Sequence, residues 1–255
     1  MTREDVFALL GALERGEVRA ASQDANGDWV ANAVVKEGIL AAFRLGVEEP
    51  SEAGPLLFRD RDTLPPRRRL PEGVRVVPGG TALRRGAYLA KGVVVMPPAY
   101  VNVGAYVDEG SMIDSHALVG SCAQVGKRVH LSAAAQVGGV LEPVGAVPVV
   151  IEDEVFVGGG AGIYEGVRVR KRAVLAAGVI LTASSVLFDL VNEKEFRSTP
   201  DRPLVIPEGA VVVPGSRRAT GAWAEARGLS LSAPMIVKYR DAKTDARTVL
   251  ESALR

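Results

Sequence analysis

The sequence predicts a mainly β protein: a parallel β-helix of hexapeptide repeats, with a small N-terminal α+β cap before it and a C-terminal strand and helix extension after it. Three observations predict this. Large aliphatics recur at every sixth position from Val77 through Leu83, Leu89, Val95, Val101, Val107, Ile113, Val119, Val125 and Leu131 to Val137. That spacing fits neither a helix, with its period of about 3.6, nor uninterrupted strand alternation. Two residues before the aliphatics stand small or β-branched residues, among them Thr81, Ala87, Val93, Ala99, Ala105, Ser111, Ala117, Ala123, Val129 and Ala135. Residues two apart in a strand share a face, so each short strand turns a small and then a large side chain into one interior. The positions between are rich in Gly, Asn and Asp, such as Asn102, Gly104, Asp108 and Gly110, which turn the chain. Three such strands close a triangular coil of about 18 residues.

The elements follow in order. Thr2 ahead of Asp5 has the form of a capping box, and Val6, Leu9, Leu10 and Leu13 mark one face of a short helix ending near Gly16. A turn at Asn26 and Gly27 separates two strand-like pieces, and Asn32 caps a second helix through Ile39, Leu40 and Phe43 to Gly46. From Val47 to Gly73 the Pro- and Arg-rich sequence ("RDTLPPRRRLPEG") predicts an extended connector, with Arg67, Arg68 and Arg69 as a solvated run. The repeat then begins at Val77. "GGVLEPVGAVPVV" breaks it after Val137, and counting resumes at Ile151, Val157, Ile163, Val169, Leu175 and Leu181. "LFDLVNEKEFRSTPDRP" breaks it again before Ile206 and Val212. The organisation read from this is a cap and linker over 1–73, the β-helix over 74–217 with an inserted loop near 138–150, and an extension over 218–255. In the extension "LSLSAPMIVKYRD" reads as strand, and Ala246, Val249, Leu250, Ala253 and Leu254 mark one face of a last helix. Both additions suit the open ends of a stacked coil, which must be covered.

Composition narrows the function classes. Lys+Arg 31 against Asp+Glu 30 leaves a net charge of +1, so no global field draws the protein to nucleic acid or an anionic membrane. The start has no signal-peptide pattern, no apolar run is long enough to span a bilayer, and the reading is cytoplasmic. A single cysteine, Cys122, excludes an intrachain disulfide framework and any cysteine-cluster metal site, and reads as a plain packed or surface thiol. His116 and His130 are the only histidines; a three-histidine zinc site cannot come from this chain alone, and either remains a candidate general base. The glycines follow the repeat, and no dinucleotide or Walker fingerprint is present.

A β-helix has flat faces, so a small-molecule site needs a projecting loop or a second subunit. The 138–150 loop is expected to arch over a neighbour, which favours an oligomer with shared sites. Asp108, Glu109 and Asp114 gather three acids within one turn and strand. Turn chemistry accounts for Asp108, whereas Asp114 stands as a candidate catalytic carboxylate.

The stretches "RVVPGG", "GAYVDEG", "SMID", "GSCAQ", "GGVLEP", "YEGV" and "IVKYRDAKT" resemble, in order and spacing across nearly the whole chain, the tetrahydrodipicolinate N-succinyltransferases of lysine and diaminopimelate biosynthesis. The resemblance implies left-handed winding, a homotrimer with sites between subunits, and succinyl transfer from succinyl-CoA to the amine of ring-opened tetrahydrodipicolinate, a dicarboxylate, with no metal or prosthetic group. It places the catalytic carboxylate at Asp114 and a substrate-binding arginine at Arg75; an acceptor with two carboxylates needs guanidinium partners, for which Arg84 also qualifies, and Ser121 is a further candidate substrate contact. Arg217 and Lys238 are the candidates for coenzyme phosphates. One departure is plain. Where the family often reads "ARSEVVEG" this chain has "GGGAGIYEG", which puts Gly160 at the Arg and Gly162 at the Glu, and Glu165 aligns with a different Glu. His116 likewise stands where a Trp often follows the catalytic Asp. An acetyl-CoA-dependent or other amine N-acyltransferase of the same fold stays open for that reason, as does a catalytically silent trimer binding a dicarboxylate or a partner.

Overall fold

The computed structural model describes residues 1–241; the expected last helix, with Ala246, Val249, Leu250, Ala253 and Leu254, lies outside the described residues. Helix α1 (Arg3–Glu14) opens with the expected capping box, in which Thr2 accepts from the Asp5 amide and the Asp5 carboxylate accepts from the Thr2 amide. An antiparallel hairpin, Ala21–Gln23 with Trp29–Ala31, leads to α2 (Ala33–Leu45), whose first turn is capped by the Asn32 side chain on the Val35 amide.

The connector expected from residue 47 onward is partly a hairpin. Glu48–Ala53 pairs antiparallel with Leu56–Arg61, so that Glu48 faces Arg61 and Glu49 faces Asp60. Pro50 does not prevent this, because each strand of a two-stranded sheet has a free edge on which a missing N–H costs nothing. Nor is the arginine run solvated throughout. Arg67 is half-buried and donates to the carbonyl oxygens of Ala87 (2.7 Å) and Arg69 (3.1 Å), while Arg68 and Arg69 are exposed.

Strands of mostly two residues then stack into three parallel sheets. Sheet I runs from Arg75–Val76 through Val94–Val95, Met112–Ile113, His130–Leu131, Phe156–Val157 and Val174–Leu175 to Ala210–Val213. Sheet II comprises Ala82–Leu83, Tyr100–Val101, Leu118–Val119, Gln136–Val137, Gly162–Ile163 and Ile180–Leu181. Sheet III comprises Tyr88–Leu89, Tyr106–Val107, Gln124–Val125, Val150–Ile151, Arg168–Val169 and Val205–Ile206. The second residue of each pair points inward. Val101, Val107, Ile113, Val119, Val125, Leu131 and Val137 are all 0% exposed, and the small residues two before them fill the same interior.

The ladder begins one residue earlier than the count from Val77 expects. Val76 pairs with Val95 and packs against the core with Val74. The first corner, Pro78-Gly79-Gly80, holds one extra residue, which Gly79 (φ 142°) and Gly80 (φ 89°) accommodate in backbone that side chains disfavour. Above it Val107 pairs with Val125, eighteen residues on, but Val125 pairs with Ile151, twenty-six on, and Val169 with Ile206, thirty-seven on. Both register breaks are therefore corner insertions that leave the stack intact. The first packs against its own cap, where buried Lys36 of α2 donates from Nζ to the carbonyls of Pro143 (3.0 Å) and Ala146 (2.7 Å). The second forms the hairpin Leu187–Asp189 with Lys194–Phe196. Met235–Tyr239 then joins sheet I between that hairpin and Ala210–Val213, to which it runs antiparallel. Buried Asp189 ties this end together, accepting from Tyr239 Oη (2.6 Å) and Asn192 Nδ2 (2.8 Å).

The cap sits on sheet III. Arg19 lies 3.5 Å over the Tyr106 ring and donates to Gln124 Oε1 (3.0 Å), Trp29 donates to Glu152 (3.3 Å), and Glu14 holds Arg85 (2.7 Å). Val103 and Cys122, from the corners between sheets II and III, complete the cap's own core with Leu10, Leu13, Val35 and Ile39.

Candidate functional site

With sheet III covered, the prism offers the outer faces of sheets I and II and the edge between them. Asp114 stands on that edge, directly after the sheet I strand Met112–Ile113. Its Oδ1 accepts the amide of the next residue, Ser115, at 2.7 Å, the same local contact that Asp108 makes to Glu109 at 2.8 Å. Turn chemistry thus explains why an Asp fits both corners, and at Asp114 it fixes the rotamer while leaving Oδ2 with no partner among the described residues.

Arg75 is exposed and occupies the outward position of sheet I in the first coil. The outward ladder reads Arg75, Val94, Met112, His130 and Phe156, so Arg75 lies two strand spacings, about 10 Å, below the strand that presents Asp114. The two thus belong to one sheet, Arg75 on its outer face and Asp114 at its border with sheet II. Lys238 pairs opposite Val211 at the far end of the same sheet and contacts Asp241 at 3.2 Å. Arg217 lies beyond the stack, in the hairpin Ser216–Arg218 with Ser230–Ser232.

Arg84 and Ser121 are not brought to Asp114. Both occupy corners between sheets II and III. Arg84 Nη2 is 3.1 Å from Asp60 Oδ2, close enough for attraction between the charges but off the hydrogen-bond angle, since Nε and Nη2 are buried without an acceptor. It lines a groove of about 360 Å³ between the Glu48–Arg61 hairpin and sheet II, with Phe58, Leu64, Arg67 and Tyr100. Ser121 abuts the start of the 138–149 insertion, its carbonyl accepting from the Val140 amide at 3.1 Å.

The remaining candidates resolve by environment. His116 is exposed at the corner that begins with Asp114, in the left-handed region (φ 62°). His130 stacks on Phe156 with ring centroids 4.9 Å apart, on the outer face of sheet I. Cys122 is fully buried beside Lys36, and burial pushes its thiol up to about 12, the opposite of an activated nucleophile. Glu165 caps the next coil, accepting the Ala183 amide at 2.9 Å. Among the described residues no group of three or more His, Cys, Asp or Glu is placed to hold a metal, and no helix is long and apolar enough to cross a membrane.

Gly160 shares the stacked corner of His116, two coils along, and a Cβ there would meet nothing within 4 Å. Gly162 is different. It is an outward position of sheet II, and a Cβ on it would lie 2.5 Å from Cε2 and 2.7 Å from the hydroxyl oxygen of Tyr164. The ring of Tyr164 also reaches over Gly138, whose Cβ would lie 2.7 Å from Cδ1. Sequence reasoning passed over Tyr164 and Lys36. Tyr164 had a faint signal, an aromatic two residues after a glycine that replaces a side chain. Lys36 had none, being one lysine on an otherwise ordinary amphipathic helix.

Comparison with known proteins adds the following. Residues 1–45 match the family described as tetrahydrodipicolinate N-succinyltransferase N-terminal, and residues 148–183 match the hexapeptide repeat of succinyl-transferase. The 2,3,4,5-tetrahydropyridine-2,6-dicarboxylate N-succinyltransferase of Nitrobacter winogradskyi is 41% identical over 99% of this chain and 90% of its own length. That of Bradyrhizobium diazoefficiens is 42% identical over the same 99% and 90%. That of Idiomarina loihiensis is 41% identical, covering 99% and 89%.

Proposed function

This chain belongs to the 2,3,4,5-tetrahydropyridine-2,6-dicarboxylate N-succinyltransferases, and from that premise we propose that it is the acyltransferase moving a succinyl group from succinyl-CoA to the amine of ring-opened tetrahydrodipicolinate, in lysine and diaminopimelate biosynthesis. The observation that carries this reading is Asp114, held by the Ser115 amide at 2.7 Å with its second oxygen open, at the border of the sheet whose outer face carries Arg75. In the reaction the amine lone pair attacks the thioester carbon, Asp114 takes a proton from the nitrogen, and the tetrahedral oxyanion expels the coenzyme as thiolate, which is then protonated. A carboxylate in hydrogen-bond reach of the amine suits that proton transfer, backbone N–H groups suit the oxyanion, and the Arg75 guanidinium suits a carboxylate of the acceptor. No covalent enzyme intermediate and no metal is needed.

The finer parts of the reading are a left-handed coil, a homotrimer, coenzyme phosphates on Lys238 and Arg217, acceptor contacts from Arg84 and Ser121, and the cytoplasm as compartment. Uncovered apolar side chains on sheets I and II, among them Val94, Phe156, Leu118 and the 48%-exposed Ile180, support the trimer. The distance of Arg84 and Ser121 from Asp114 within one chain means that their acceptor contacts need a neighbouring subunit.

A second reading, a changed acyl donor, is favoured by Gly160 and Gly162. Thiol release with the tetrahydrodipicolinate acceptor, from succinyl-CoA and separately from acetyl-CoA, tests both. Succinyl-CoA turnover that drops about 10²- to 10⁴-fold in Asp114→Asn, with assembly intact, is the expected result. Turnover of acetyl-CoA alone moves the protein to the second reading, and turnover of neither points to a silent trimer.

A further inference from the structure

Resting on that reading, we propose that Tyr164 is the specificity-determining residue for the acyl donor, its phenol O–H donating a hydrogen bond to the free carboxylate of the succinyl tail. The outward ladder of sheet II reads Ala82, Tyr100, Leu118, Gln136, Gly162 and Ile180, with no charged group. The Gln136 amide N–H groups are already given to the carbonyls of His116 and Ala134, both at 3.3 Å. Tyr164 springs from the next corner but folds back across Gly162, so its hydroxyl takes the place in which a side chain at 162 would begin. It is half-buried, and the hydroxyl has no hydrogen-bond partner among the described residues.

The spacing suits the tail. Asp114 leads into the strand Leu118–Val119, and Gly162 lies two strands further up the same sheet, about 10 Å along the prism axis. A four-carbon acyl chain with a hydrogen bond at each end spans roughly 10 Å. With the attacking amine at Asp114, the tail carboxylate therefore falls at the level of Tyr164. A neutral phenol can donate to that carboxylate without repelling it, and a tail ending in a methyl group gains nothing there. Gly162 is then required, because any side chain at this position meets the ring at 2.5 Å and displaces the hydroxyl.

The test compares succinyl-CoA with butyryl-CoA, which has the same chain length and no carboxylate, in wild type, Tyr164→Phe and Gly162→Ala. Succinyl-CoA is followed by kcat/KM and butyryl-CoA as a competing donor by its inhibition constant. Tyr164→Phe is expected to lower kcat/KM for succinyl-CoA about ten- to a hundred-fold while butyryl-CoA binding stays within a factor of about two. Gly162→Ala is expected to show the same selective loss. Equal losses for both donors, or no loss for either, overturn the proposal, since a purely structural tyrosine would not separate them. Absence of succinyl-CoA turnover in the wild type is a distinct result, which removes the functional reading and this inference with it.

Discussion

Sheets II and III carry the same interior and opposite exteriors. Inside, Val119 and Val125 are equally buried. Outside, sheet III presents Tyr88 and Tyr106, stacked at 4.5 Å with Arg19 over the Tyr106 ring, whereas sheet II presents Leu118, Gln136 and Ile180, which the described residues leave half-buried or exposed. The repeat builds the prism and does not distinguish its faces. What distinguishes them is the outward residue of each two-residue strand, where polar and aromatic groups on sheet III find partners in the cap. The strands of sheet II beyond the Glu48–Arg61 hairpin, left partly exposed by the described residues, are the ones that border Asp114 and hold Tyr164.

The largest effect that would break this comparison comes from the covered face. Tyr106→Ala removes the ring beneath Arg19 and the stack on Tyr88, and is expected to cost about 2–4 kcal/mol in denaturant unfolding. A loss no greater than at a bare-face position would mean that the cap contributes little to the prism. Next is Lys36→Met, which leaves the Ala146 carbonyl without its donor and the Pro143 carbonyl with only the Ala146 amide at 3.0 Å. Loss of the one donor to Ala146 and of the second to Pro143 is expected to cost about 1–3 kcal/mol and to raise proteolytic cleavage within 138–149, read by limited digestion.

Cys122 sharpens the comparison through pH. Its folded-state thiol, raised from 9.0 to about 12, keeps its proton in a window where the unfolded chain loses it. Unfolding therefore releases a proton there, and stability falls as pH climbs from about 9 to about 12. Lys36 works in the opposite sense below its ordinary value of 10.5, because burial lowers its pKa. The contribution of the thiol is isolated by the difference between wild type and Cys122→Ala, expected to shrink with rising pH; a flat difference would show that the cap opens before the thiol matters. The smallest effect is expected on sheet II, where Leu118→Ala changes unfolding of the isolated subunit by less than about 1 kcal/mol. The same change should weaken self-association in sedimentation, and unaltered association would place the contact between subunits elsewhere.

The prism was legible because its interior repeats chemically: an aliphatic every sixth residue and a small residue two before it leave few other structures. The one-residue slip at Val76 was not, since Val76 and Val77 are the same residue type and only the pairing with Val95 decides which faces inward. The Glu48–Arg61 hairpin was missed because its outward residues are charged and its strands carry a proline, and a two-stranded sheet tolerates both. Of the candidate site, Asp114 was legible as a corner residue of the repeat, whereas the outward place of Arg75 depends on the slip at Val76, since a count from Val77 turns it inward. The surroundings of Arg84 were not legible, because the Asp60 beside it comes from a hairpin where the sequence predicts an extended connector. Tyr164 was hidden because its position in the repeat points around the corner while its ring returns over Gly162, a side-chain choice that periodicity does not encode.

The corner insertions give this chain two coordinate systems. In sequence Val125 and Ile151 are twenty-six apart and Val169 and Ile206 thirty-seven apart, yet each pair is one storey apart on the same wall. Residues thus keep addresses of wall and storey that are indifferent to how much chain is spent on a landing. Lengthening a landing is an edit the building does not register, and whole hairpins or reporter peptides can be hung there. Deleting one residue inside a wall is the reverse: the period is two, so a single step exchanges the inner and outer side chains of that strand and empties the interior into water.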